Sequence, residues 1–178
     1  LTTMPVIQLG SGVQLELSFD DLNPEVKRYV YRVTHCTYDW KPSELFETEY
    51  IDGFNEETID YYEYSYQTST DFTHFRMAIP NEDMSFTKSG NYLLKVYEDE
   101  DEMKLVLTRR FVIWESMVKV FPKMVRPAMV SKSETHQEID FTVNSEGMDI
   151  RNPLTEMKAT IIQNNRWDNA IIGKAPRY

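Results

Sequence analysis

Val13-Gln14-Leu15-Glu16-Leu17-Ser18-Phe19-Asp20 decides the fold class. Val13, Leu15, Leu17 and Phe19 alternate with Gln14, Glu16, Ser18 and Asp20. A period of two puts one face of an extended strand in a core and the other in water. Asn23-Pro24 ends the run, and the next segment sets Tyr29, Tyr31, Val33 and His35 on one face and Val30, Arg32, Thr34 and Cys36 on the other. With bulky groups on both faces, that strand belongs inside a sheet rather than at its edge.

The same rhythm continues outward. Residues 58–66 carry Tyr61, Tyr62, Tyr64 and Tyr66 and read as one strand. Residues 72–79 alternate Thr73, Phe75, Met77 and Ile79 with Phe72, His74, Arg76 and Ala78. Ser89-Gly90-Asn91 turns the chain into Tyr92, Leu94 and Val96. The acidic run Glu98-Asp99-Glu100-Asp101-Glu102 reads as an exposed hairpin tip, followed by Met103, Leu105, Leu107, Phe111 and Ile113. Short alternating strands parted by frequent turns predict an all-β, immunoglobulin-like antiparallel sandwich over residues 5–114. Its expected core is Leu15, Leu17, Tyr31, Val33, Leu94, Val96 and Phe111. A single helical turn is expected at Pro42-Ser43-Glu44-Leu45-Phe46.

The domain division places this sandwich at 1–115 and the opening strands of a second β-sandwich module at 116–178. In the second stretch Val118, Val120 and Phe121 form a short strand that Pro122 and Pro127 interrupt. Ile139, Phe141 and Val143 alternate, as do Met157, Ala159 and Ile161, and these two segments are expected to pair. Three or four strands bury little apolar area, so the module is expected to continue in a longer protein. The chain opens on Leu1, with no apolar signal-peptide core near it, which again points to a processed or longer parent.

Composition narrows the function classes. Twenty-nine acidic against 19 basic residues give a net charge of −10, which repels phosphates and disfavours nucleic acid and anionic lipid as partners. No apolar run approaches the roughly 18 residues of a membrane-spanning helix, so direct membrane insertion is not expected. One cysteine, Cys36, permits neither an internal disulfide nor a cysteine-based zinc cluster.

Catalytic, metal and cofactor residues are all read as none. His35, His74 and His136 sit in different segments, and His35 and Cys36 are strand neighbours that point to opposite faces. Neither pairing offers a metal grip or a nucleophile with its base. Gly10-Ser11-Gly12 lacks the strand-turn-helix setting of a nucleophile elbow. The run 98–102 lacks the spaced ligands and central glycine of a calcium loop. Asp60 and Glu63 fall on opposite faces of their strand, which spoils the paired carboxylates of a glycosidase. Their tyrosine neighbours still suit a carbohydrate-binding face, which is the alternative reading of the chain.

Specific words in the chain say more. Thr34-His35-Cys36-Thr37-Tyr38-Asp39-Trp40 with Pro42-Ser43, then Glu49-Tyr50-Ile51-Asp52-Gly53-Phe54, resemble the first domain of the type IX secretion system plug proteins of Bacteroidetes. Ser89-Gly90-Asn91-Tyr92-Leu93-Leu94-Lys95-Val96-Tyr97-Glu98, Leu107-Thr108-Arg109-Arg110-Phe111 and Gln163-Asn164-Asn165-Arg166-Trp167-Asp168 resemble that family too, although a glycine is usual at the position of Asn165. The resemblance implies a non-enzymatic periplasmic protein, associated with the outer membrane through its partner. The implied partner is the outer-membrane translocon barrel, whose periplasmic mouth the plug occludes when no cargo is engaged.

As structure, these words read mainly as scaffold. Tyr38 and Trp40 pack beside the sheet, Asp39 caps the turn at Pro42-Ser43, Gly53 serves a tight turn, and Arg109 and Arg110 pair with carboxylates. The candidate partner-binding residues are Tyr61, Tyr62, Tyr64 and Tyr66, because exposed tyrosine suits a reversible protein interface.

Overall fold

The computed structural model describes residues 5–23, 25–98 and 104–177, and its regular elements are mostly strands. They run β1 (Val6–Gln8), β2 (Leu15–Asp21), β3 (Tyr29–Cys36), a helical turn α1 (Glu47–Tyr50), β4 (Ile51–Gly53), β5 (Glu56–Thr58), β6 (Tyr61–Tyr64), β7 (Thr73–Ile79), β8 (Met84–Phe86), β9 (Gly90–Glu98) and β10 (Lys104–Trp114). One sheet has the order β1-β10-β9-β3-β5, and β2-β7-β6 forms the other. This is the all-β, immunoglobulin-like sandwich that the alternation predicts. β4 and β8 add a small antiparallel pair. β1 runs parallel to β10, while the pairings of β10, β9, β3 and β5 are antiparallel.

The core follows from the pleat. β3 lies between β9 and β5, with Tyr31 facing Val96 and Val33 facing Leu94 across the ladder. Tyr31, Val33, Leu94, Val96 and Phe111 are each at most 3% exposed. Leu15 and Leu17 are only partly buried and pack against this cluster from β2. Val13 differs from its expected place: it precedes β2 and is exposed, so the alternation starts one step later than the pattern suggests. Thr73, Phe75, Met77 and Ile79 all face inward from β7.

Aromatic rings knit the sheets together. Phe19, Tyr29 and Phe75 meet with ring centroids 4.9–5.3 Å apart. A second group stacks Tyr92 on Phe111 at 5.2 Å, with Phe86 5.0 Å from Tyr92. Buried tyrosine needs a partner for its hydroxyl. Tyr92 donates to the Lys88 carbonyl, Tyr31 accepts from Asn81 Nδ2, and Tyr29 donates to Asp21 Oδ2, each at 2.8 Å. Burial pushes the Tyr31 hydroxyl up to about 12. For Asp21, burial opposes ionisation, but hydrogen bonds from Tyr29 and Asn23 outweigh it and hold the carboxyl below its ordinary value.

Several local expectations are revised. The helical turn falls at Glu47–Tyr50 rather than at 42–46. Pro42 bridges back to Cys36, and the Ser43 N–H donates to the His35 carbonyl, so that stretch is held extended. The Phe46 N–H finds the Glu49 carboxylate at 2.8 Å, which caps the turn one step on. Residues 58–66 are not one strand: Thr58 ends β5 in one sheet and Tyr61 starts β6 in the other. Gly53, at φ 104°, ends β4 where a Cβ would lie 2.0 Å from the Asp83 carbonyl oxygen, so close backbone approach fixes its identity. The hairpin tip read at 98–102 lies mostly outside the described residues; its flanking strands β9 and β10 pair antiparallel.

Contacts divide the chain into two units: 1–115 with 158–174, and 116–157 with 175–178. The hairpin β13 (Ala159–Gln163) and β14 (Arg166–Lys174) therefore counts with the sandwich, after β11 (Lys119–Val125) and β12 (Glu138–Asn144) of the other unit. β11 pairs with β12 and β13 with β14, so the expected pairing of 139–143 with 157–161 does not form. β13 is instead closed onto β14 by the tight turn Asn164-Asn165, both at positive φ, which fits a two-residue hairpin connection. Pro122 sits inside β11 opposite Phe141 instead of ending it, which a two-stranded ribbon tolerates when the missing N–H faces the open edge.

Two measurements test this packing. Replacing Leu94 by Ala is expected to lower unfolding free energy by about 2–5 kcal/mol in a urea titration. The Asp21 carboxyl is lower in the folded than in the unfolded chain. Its contribution is therefore complete above about pH 4 and disappears as pH falls through the folded value. The unfolding midpoint of the native chain should fall more steeply with acid than that of Tyr29→Phe, which lacks the donor.

Candidate interaction surface

β6 joins the sandwich through β7 alone among the described residues, with Tyr61 opposite Arg76, Tyr62 opposite Phe75, Glu63 opposite His74 and Tyr64 opposite Thr73. All four of its residues are exposed, and Tyr66 just beyond it is 82% exposed. The tyrosines divide by the pleat. Tyr61 stands on the outer face, where the Arg76 guanidinium lies 5.6 Å from its ring centre and its hydroxyl donates to Glu63 Oε1 at 2.6 Å. Arg76 also reaches Glu16 Oε1 at 3.0 Å. Tyr62 turns to the rim of the core, 5.7 Å from the Phe75 ring and 5.8 Å from Tyr64.

The surroundings are acidic. Asp60 precedes β6, Glu63 lies on it and Asp71 sits in the loop behind it. Burial first, and then the nearby Asp83 and Asp60 carboxylates, push the Glu57 carboxyl above its ordinary value. Tyr62 and Tyr64 meet at an interplanar angle of 85°, so they form aromatic knobs rather than the flat platform on which a sugar ring stacks.

The other candidates resolve into scaffold. His35 Nδ1 faces Ser43 Oγ at 2.8 Å and Nε2 faces the Ser89 carbonyl at 3.3 Å, with Tyr92 edge-on at 5.1 Å. Cys36 is 3% exposed, and burial raises its thiol. A raised thiol is a poor nucleophile. His74 Nδ1 pairs with Asp20 at 2.6 Å across β2 and β7. Among the described residues, no three of the His, Cys, Asp and Glu side chains cluster to hold a metal. A shallow depression of about 370 Å³, open to solvent, is lined by Gly12, Gln14, Pro80, Asn81, Glu82 and Ser85. No described helix is long and apolar enough to cross a membrane.

One contact was not visible in the sequence. Trp40 takes the left-handed conformation, φ 67°, and receives the edge of Trp167 at 4.7 Å. Arg110 covers the Trp40 ring at 4.8 Å, in place of the expected carboxylate partner, while Arg109 donates to the Thr108 carbonyl. Asp39 accepts from the Thr37 hydroxyl and pairs with Lys41, rather than capping Pro42-Ser43. Tyr38 packs over Gly173, where a Cβ would lie 2.6 Å from its ring. Two of the distinctive words, 34–43 and 163–168, thus meet to seat the β13–β14 hairpin.

Residues 1–115 match the family model described as the type 9 secretion system plug protein 1st domain. A crystal structure of a hypothetical protein from Parabacteroides merdae ATCC 43184 is similar over 100% of this chain, with 34% identity and a TM-score of 0.87. This chain spans 45% of that one. No curated protein matches it.

The tyrosines should separate by mutation. Tyr62→Ala, which strips a ring from Phe75, is expected to cost about 1–3 kcal/mol, and Tyr66→Ala less than about 0.5 kcal/mol, in paired thermal and urea melts.

Proposed function

The chain belongs to the type 9 secretion system plug protein family, and on that premise we propose that it is a non-enzymatic periplasmic protein that occludes the mouth of the outer-membrane translocon barrel. The family match over residues 1–115 carries the reading. The surface supports it: the aromatic residues at β6 stand exposed in an acidic field, and no deep cleft among the described residues gathers polar groups for catalysis. A plug must leave when cargo arrives. That requirement favours a moderate interface of complementary charge and a few aromatic anchors over an obligate hydrophobic seam. Tyr61, Tyr62, Tyr64 and Tyr66 are the proposed anchors.

The carbohydrate-binding alternative draws on the same tyrosines, but the perpendicular Tyr62 and Tyr64 rings suit a protein partner better than a pyranose face. Deleting the gene should let the translocon barrel conduct ions when reconstituted in a bilayer, and adding back the full-length protein should reseal it. Barrels that stay equally closed without the protein would refute the plug reading, and a glycan array that binds the full-length protein would favour the alternative.

A further inference from the structure

The backbone of β6 has an unused side. In an antiparallel ladder, residues alternate between pairs that exchange both hydrogen bonds and pairs that exchange none. The Ser65 N–H donates to the Phe72 carbonyl at 2.9 Å, and the Phe72 N–H reaches Ser65 Oγ at 2.9 Å, which marks 65 and 72 as a bonded pair. Counting back along the register, 63 with 74 and 61 with 76 are bonded, whereas 62 with 75 and 64 with 73 are not. The N–H and C=O groups of Tyr62 and Tyr64 therefore point away from β7, toward an edge that no described strand occupies.

Natural edges are usually blunted by charge, proline or a bulge. β5, the edge of the other sheet, carries Glu56 and Glu57 in three residues. β2, the opposite edge of the same sheet, has Glu16 and Asp20 in ion pairs and no exposed aromatic ring. β6 has tyrosine at three of four positions, with rings on both faces, so an arriving strand finds aromatic contacts for its side chains on either side.

We propose that the free edge of β6 takes up an extended, basic segment of a partner protein by strand addition, with the peptide groups of Tyr62 and Tyr64 supplying the main-chain hydrogen bonds. Charge chooses the occupant. Asp60 just before β6, Glu63 on it and Asp71 in the loop to β7 outnumber Arg76, which lies over Tyr61, so a second copy of this chain would set acids against acids, whereas lysine or arginine on an incoming strand would meet a net negative surface. The proposal rests on the plug reading only in taking the partner to be a protein; the binding mode can hold or fail independently of barrel occlusion.

The test is amide hydrogen exchange on the full-length protein. The probe is a short capped peptide alternating valine with lysine, and the control replaces each lysine by glutamate. The lysine peptide should slow exchange at Tyr62 and Tyr64 by at least about tenfold, leave the β2 amides unchanged, and lose this effect as salt rises. The glutamate peptide should do nothing. Tyr64→Pro removes an outward N–H without breaking the β7 ladder, so it should weaken the lysine peptide at least about tenfold while Tyr64→Phe binds normally. Should the proline variant unfold, protection in the native chain still decides. No slowing at Tyr62 and Tyr64, equal binding of both peptides, or protection that appears without peptide as the protein self-associates would each overturn the proposal. A barrel that stays sealed without the protein bears on the plug reading alone.

Discussion

The antiparallel pairing of β3 with β9 sets every other position in the sandwich, because it buries both strands while they are still some 60 residues apart in the chain. β10 is laid on β9 and β5 on β3, so the five-stranded sheet grows outward from this ladder. Its inner side chains, Tyr31, Val33, Tyr92, Leu94 and Val96, offer the apolar face that β2 and β7 must cover. Their hydroxyls and rings then demand Asn81, Lys88 and Phe111 in fixed places.

Strand identity was legible wherever one face is wet and the other dry. Residues 73–79 and 92–96 alternate because the sandwich has two sides, and the pattern states this directly. Local readings failed where tertiary contacts outrank propensity. Pro42 and Ser43 look like a helix start, but the end of β3 claims them through a bridge and a backbone hydrogen bond. The tyrosine run 58–66 gives no hint that the chain changes sheet at Ile59 and Asp60, because both halves favour extended backbone equally.

The tyrosines of β6 were visible as a surface candidate, but not their division of labour. Period alone assigns Tyr62 and Tyr64 to one face without saying that this face lies at the rim, where Tyr62 touches Phe75 yet remains wet. The meeting of Trp40 with Trp167 was illegible for a different reason: about 127 residues separate them, and neither periodicity nor charge links the two segments. Arg110 was expected to seek a carboxylate in so acidic a chain, yet a flat guanidinium over an indole also satisfies its charge.

The parallel pairing of β1 with β10 has a mechanical consequence. Val6, Ile7 and Gln8 lie beside Val112, Ile113 and Trp114, with flanking bonds from Val112 N–H to the Pro5 carbonyl and from Leu9 N–H to the Trp114 carbonyl. Because the two strands run the same way, tension drawn between the start of β1 and the end of β10 slides one past the other. All of these bonds are then loaded together in shear, instead of opening one at a time as in a hairpin pulled from its ends. A module tugged along its own chain by a neighbour would thus hold its shape until the whole short ladder yields at once.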